Sequence, residues 1–225
     1  MKCVYCQAQN GESIPNGMMS KYVAKRAVDI ALSSPSKSLS FEFQGGEPFL
    51  NFNVIKYIVE YTKKNKNDKI VEFNVVSNLT LINAEIAQFI KENNIGISTS
   101  IDGDEDLHNK NRMYSTNGGT YADTVRAMNY LRQIGVNVGA IETTTRYSLN
   151  CSNEIVNAYV SLGLNNLFLR PLTPLGCANR YWSEIGYSPE AFIKFYKECF
   201  DYIITLNEKG IYIKEGHASI MLSKF

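Results

Sequence analysis

Two cysteines open this chain at the spacing C-x-x-C, in Met1-Lys2-Cys3-Val4-Tyr5-Cys6. Thiolates so placed can face one metal centre, which suits zinc, a redox disulfide, or part of an iron–sulfur cluster. Further on, Phe41-Glu42-Phe43-Gln44-Gly45-Gly46-Glu47-Pro48 reads as a strand ending in a Gly-Gly-Glu-Pro turn. Gly45 and Gly46 let the backbone approach a ligand closely, and a carboxylate at a strand end accepts hydrogen bonds from an ammonium group. The plainer reading is a strand-to-helix turn, with Glu47 at a helix N-terminus where the dipole favours negative charge.

Polar side chains also close later strands. Ser77 and Asn78 leave one of them, as ligand contacts or as ordinary turn formers. Ser98-Thr99-Ser100-Ile101-Asp102-Gly103 closes the next and is followed by Leu107-His108-Asn109-Lys110-Asn111-Arg112. The Arg112 guanidinium suits bidentate carboxylate binding, while a plainer reading pairs it with Asp104 or Glu105 and makes Asp102 a turn cap. His108 reads as structural and is assigned no chemical step. Asn117-Gly118-Gly119-Thr120-Tyr121 follows no strand directly and lacks a Lys-Ser/Thr pair, so it is not a phosphate loop. Glu142 to Arg146 and Leu169-Arg170-Pro171 end two more strands and are expected to face a cavity. Cys151, Cys177 and Cys199 show no mutual metal spacing and read as ordinary thiols.

These residues need a scaffold, and the hydrophobic period supplies one. It switches repeatedly between 2 and 3.6, the pattern of alternating strands and helices. Strands are expected over 38–43, 69–76, 95–101, 136–145 and 166–170; helices over 19–33, 52–65, 83–93, 121–134, 151–162 and 188–209. Strands each followed by a helix argue for a parallel α/β sheet, whose ligands gather at the C-terminal strand ends. The 225 residues suit one large domain or two small ones, and single-domain α/β barrels often reach this size. A net charge of +1 gives no basic field that calls for nucleic acid, and no apolar run is long enough to span a membrane. Five scattered cysteines make no disulfide scaffold, so a reducing cytoplasm is the expected compartment.

The motifs together resemble the radical S-adenosylmethionine (radical SAM) superfamily, with C-x-x-x-C-x-x-C after the first barrel strand and a GGE-like turn after the second. Cys3 and Cys6 match the second and third cysteines of that triplet. The first falls two residues before Met1, so the resemblance implies a radical SAM core domain over 1–225, a partial (β/α)6 TIM-like barrel with its first strand missing. It further implies a 4Fe-4S cluster on Cys3 and Cys6, and S-adenosylmethionine (SAM) with its amino group at Glu47 of the Gly45-Gly46 turn. Tyr5 and Leu169 are then expected near the adenine, Ser77 and Asn78 along the SAM site, Ser100 and Arg112 near the SAM carboxylate, and Arg170 towards substrate. The SxDG…H-x-x-x-R stretch looks most like SPASM/twitch-type peptide maturases, including His-Xaa-Ser systems and anaerobic sulfatase maturases, although Asn109 stands where those have Asp. Such maturases often carry a cysteine-rich C-terminal extension, which is expected to be cut off at Phe225, and Cys177 is weighed as an outlying ligand for its clusters. The chemistry implied is reductive cleavage of SAM to a 5'-deoxyadenosyl radical that modifies a peptide or protein, with flavodoxin or ferredoxin as electron donor. Two other classes stay open: a non-catalytic remnant or peptide-binding barrel, and a zinc-binding α/β protein using Cys3 and Cys6 with a histidine, although His108 and His217 show no ligand spacing to the pair.

Overall fold

Val54, Ile55, Ile58, Val59 and Thr62 recur on one stripe, and there the chain is a helix whose buried face is that stripe. The same logic runs through the computed structural model, which describes residues 1–7 and 17–224. In chain order the elements are β1 (Lys2–Cys3), α1 (Lys21–Leu32), β2 (Ser38–Phe43), α2 (Phe52–Asn65), β3 (Ile70–Val76), α3 (Ala84–Glu92) and β4 (Gly96–Ser100). Then come α4 (Glu105–Asn111), β5 (Arg112–Met113), α5 (Tyr121–Gln133), β6 (Val138–Thr143), α6 (Ser152–Ser161), β7 (Asn166–Leu167) and β8 (Leu169–Arg170). The last are α7 (Cys177–Arg180), α8 (Trp182–Ile185), α9 (Pro189–Glu208), β9 (Lys214–Glu215) and α10 (Gly216–Leu222). Short 3-10 turns occupy Pro48–Asn51 and Arg146–Ser148. Ser20, Asn83, Asp104 and Ser188 cap their helices by accepting a backbone N–H.

A five-stranded parallel sheet runs in the order β2-β3-β4-β6-β8, following the chain. The chain divides into two compact units: one is Glu12–Ser98 with Arg126–Val138, the other Met1–Gly11, Thr99–Val125 and Gly139–Phe225. In the first, β2 pairs with β3 from Ser38↔Ile70 to Phe43↔Val75, and β3 with β4 from Asn74↔Gly96 to Val76↔Ser98. Ala24 and Val28 of α1 and Val54 and Ile58 of α2 form a core cluster against Phe41 and Phe43 of β2. In the second, β6 pairs with β8 through Glu142↔Leu169 and Thr143↔Arg170. The strand expected over 166–170 is two short pieces, because β7 pairs with β9 while β8 pairs with β6. No helix among the described residues is long and apolar enough to cross a membrane.

Candidate cofactor site

Both candidate thiols lie on one turn. Cys3, on β1, sits opposite Arg112 of β5 in an antiparallel pair, and the Val4 N–H donates to the Asn111 carbonyl at 2.9 Å. The Cys6 N–H donates to the Cys3 carbonyl at 3.2 Å and closes the turn. Cys3 and Cys6 are free and half-buried. Between them, Tyr5 is only 9% exposed, and its hydroxyl donates to Asp102 Oδ2 at 2.6 Å. The Arg112 guanidinium lies 5.5 Å from the centre of the Tyr5 ring.

Asp102 is thus a hub, not only the turn cap of the plainer reading. Fully buried, it accepts the Thr143 N–H on Oδ1 at 3.2 Å, and Oδ2 stands 3.8 Å from Arg112 Nε. Arg112 therefore faces Asp102, while Asp104 caps α4 by accepting the Leu107 N–H. Arg112 Nε is buried with no hydrogen-bond partner among the described residues. Burial pushes the Cys3 thiol up against the pull of Arg112, and burial likewise pushes the Asp102 carboxyl up. For Arg112 burial acts downward, but Tyr5, Cys3 and Asp102 outweigh it and hold the cation.

His108 is structural, as expected. It is fully buried, which takes its imidazole down to about 3, so the ring is neutral. The Asp102 N–H faces Nδ1 at 3.4 Å, which leaves Nε2 to carry the proton towards Thr120 Oγ1 at 3.2 Å. Thr120 Oγ1 in turn donates to the Arg112 carbonyl at 2.7 Å. Asn109 accepts the Thr120 and Tyr121 N–H groups on one amide oxygen at 2.8 and 2.9 Å. An amide oxygen serves this purpose as a carboxylate would, so the departure from the family's Asp costs no acceptor.

In the other unit, the Gly-Gly-Glu turn is built around Glu47. Its Oε1 accepts the Phe49 N–H at 3.0 Å and the Ser77 hydroxyl at 2.9 Å, while Oε2 accepts the Asn78 N–H at 3.0 Å. Glu47 therefore caps the Pro48–Asn51 turn, as the plainer reading has it, and ties the end of β3 to the end of β2. Burial pushes its carboxyl up despite those donors. Ser77 accepts the Leu79 N–H, and Asn78 Oδ1 accepts from the backbone and hydroxyl of Thr80, so both also shape the turn. Gly45 and Gly46 are exposed. A cleft of about 460 Å³ in this unit is lined by Val71, Glu72, Ile95 and Gly96, at the N-terminal ends of β3 and β4, away from these motifs.

The ends of β6 and β8 differ from expectation in part. Glu142 and Leu169 are fully buried register partners and do not face an open cavity; Arg170 is exposed and Ser100 half-buried. Sequence reading missed the Cys177 N–H, which donates to the Cys6 carbonyl at 2.9 Å.

The profile described as the Radical SAM superfamily matches residues 1–149. The chain belongs to the radical SAM superfamily. An uncharacterized protein of Methanocaldococcus jannaschii is 32% identical over 77% of this chain and 59% of its own length. The cysteine-type anaerobic sulfatase-maturating enzyme of Clostridium perfringens (strain 13 / Type A) is 28% identical over 89% of this chain and 56% of its own. Native anSMEcpe with bound AdoMet superposes with a TM-score of 0.85 at 24% identity, covering 95% of this chain and 60% of that one. Streptococcus suis SuiB bound to precursor peptide SuiA gives a TM-score of 0.67 at 14% identity, covering 95% and 45%. The chain thus spans about half the length of such relatives, and its fold is the partial barrel of radical SAM enzymes.

This family uses a 4Fe-4S cluster and SAM. Two soft thiols on one tight turn, beside a buried guanidinium, fit two positions of such a cluster. Among the described residues no group of three or more His, Cys, Asp or Glu side chains is placed to hold a metal ion. His108 is engaged with Thr120, and His217 stacks 4.0 Å from Phe168, so neither histidine completes a zinc site with the pair.

Proposed function

We propose that this chain is the core of a radical SAM enzyme that modifies a peptide or protein. The observation that carries this is the Cys3–Cys6 turn, with two free thiols braced through Tyr5 and Asp102 beside Arg112, whose Nε makes no hydrogen bond among the described residues. When bound, a 4Fe-4S cluster with SAM supplies reductive cleavage of the sulfonium to a 5'-deoxyadenosyl radical.

The residues of the chain bind and orient. Cys3 and Cys6 are cluster ligands; burial keeps the Cys3 proton in the metal-free protein, and that proton leaves when iron binds. Arg112, already charged and with an Nε that makes no hydrogen bond among the described residues, receives the SAM carboxylate with Ser100. Glu47 accepts the SAM ammonium, with Gly45 and Gly46 allowing close approach, while Ser77 and Asn78 fix the Glu47 carboxylate. Tyr5 holds the ligand turn through Asp102. A peptide substrate is supported by two structural neighbours, anSMEcpe with bound Kp18Cys peptide and SuiB with bound precursor peptide SuiA. A flavodoxin or ferredoxin is the proposed reductant, and the cytoplasm the proposed compartment.

The test is anaerobic reconstitution with iron and sulfide, followed by dithionite and SAM. We expect a brown protein with a reduced-cluster EPR signal and release of 5'-deoxyadenosine, all lost in Cys3→Ala and Cys6→Ala. Iron near zero in the unaltered chain would replace this reading with a non-catalytic peptide-binding barrel. Tightly held zinc without iron would replace it with a zinc protein.

A further inference from the structure

Between β8 and α9 runs a segment, residues 171–187, for which the proposed chemistry has no role. One end of it presses on the ligand turn. The Cys177 N–H donates to the Cys6 carbonyl at 2.9 Å. Gly176, at φ +57°, has no room for a side chain: a Cβ there would lie 2.5 Å from the Cys6 carbonyl oxygen, 2.6 Å from that of Gln7 and 2.8 Å from Gln7 Cα. These neighbours are backbone atoms, which cannot swing aside. Alongside, Leu172, Ala178 and Ile185 form one buried cluster with Tyr5, against which Cys3 and Val4 pack.

The remainder of the segment is anchored to the end of β6. Tyr187 Oη accepts the Leu172 N–H at 2.6 Å and donates to the Thr144 carbonyl at 3.1 Å. Arg146 donates from Nε to the Gly186 carbonyl at 2.7 Å and from Nη1 to that of Ser183 at 2.8 Å. The Cys3 end of the turn is held by β5, and the Cys6 end by this anchored segment.

We propose that residues 171–187 are a strap that positions the Cys6 end of the ligand turn. Gly176 is its positioning residue, and Cys177 acts through its amide and not its thiol. The proposal rests on the reading of Cys3 and Cys6 as cluster ligands. Groups that orient a metal ligand govern its affinity, and a turn carrying two ligands needs both ends fixed. The thiol is set aside because Cys177 makes no three-residue metal group with Cys3 and Cys6 among the described residues.

The test begins with the metal-free chain, alkylated under native conditions and read cysteine by cysteine by mass spectrometry. Cys177→Pro deletes the amide donor at the first residue of a helix, where proline is tolerated; Cys177→Ala keeps it. Cys6 should react about tenfold faster in Cys177→Pro and in Gly176→Ala, the factor expected when local opening becomes easier by ~1.4 kcal/mol, and unchanged in Cys177→Ala. Buried Cys199 should stay protected throughout; Gly176→Ala decides the matter if the proline variant loses that protection. After reconstitution, EPR g-values of the reduced cluster should shift in the proline and Gly176→Ala variants and not in Cys177→Ala. Cys6 reactivity unchanged in the first two, or a Cys177→Ala variant that behaves like the proline one, overturns the strap. If the unaltered chain takes up no iron while the alkylation pattern holds, the cluster reading falls and the clamp on the loop stands.

Discussion

Tyr5 makes a hydrogen bond from a neutral phenol to a completely buried carboxylate, in a place where water does not substitute for it. Tyr5→Phe keeps the ring under Arg112 but leaves Asp102 Oδ2 with its cation 3.8 Å away. Losing a hydrogen bond to a buried charged group costs roughly 1–3 kcal/mol. The melting temperature should drop by several degrees, about 2–4 °C per kcal/mol at this chain length. Thermal unfolding of the metal-free chain reads this directly, and an unchanged midpoint would remove Asp102 as the hub. Cys3, Cys6 and Glu47 were legible because their types and spacing carry the signal. The partner of Asp102 was not, since Tyr5 and Asp102 are 97 residues apart and meet only through the fold. That Glu142 is fully buried was likewise not legible, since its place depends on register with Leu169, another distant residue.

At the scale of elements, the start of α5 depends on a residue outside it. The Asn109 amide oxygen takes two N–H groups that would otherwise be orphaned at the helix start. Asn109→Ala should therefore cost about 1–2 kcal/mol, as loss of a helix cap does, while Asp at this position should be within roughly 0.5 kcal/mol of the unaltered chain. Chemical denaturation of the two variants checks this; equal losses would show that the side chain's bulk and not its oxygen matters. Gly119 fits the same contact, because a Cβ there would lie 2.4 Å from the Asn109 amide. Periodicity placed β2 and α2 at their observed ends because each has a clear apolar face. It did not show α4, which is too short for a period to develop, nor β1, β5 and β9, two-residue strands that exist only through distant partners. The split between β7 and β8 was hidden for that reason too.

For the whole molecule, two buried titratable groups should shape how stability varies with pH. Glu142 is fully buried, and its Oε2 accepts the Thr144 hydroxyl at 2.7 Å. Burial first, and then the nearby Asp102 charge, push its carboxyl well above the ordinary range. The folded chain thus holds a proton that the unfolded chain releases near pH 4.3, so stability falls as pH rises from there towards the folded value. His108 acts in the opposite sense: its folded value of about 3 lies below the unfolded ~6.5, so its contribution is lost as pH falls through that interval. Glu142→Gln keeps an acceptor for Thr144 and has no proton to lose. Its melting temperature should be close to that of the unaltered chain at pH 5 and higher at pH 8, by about 2–4 °C if ~1 kcal/mol is recovered. A gap between the two proteins that does not change from pH 5 to pH 8 would mean that Glu142 does not carry the alkaline loss. His108→Gln should leave that gap intact while flattening the acid side of the curve, which separates the two groups in one set of melts.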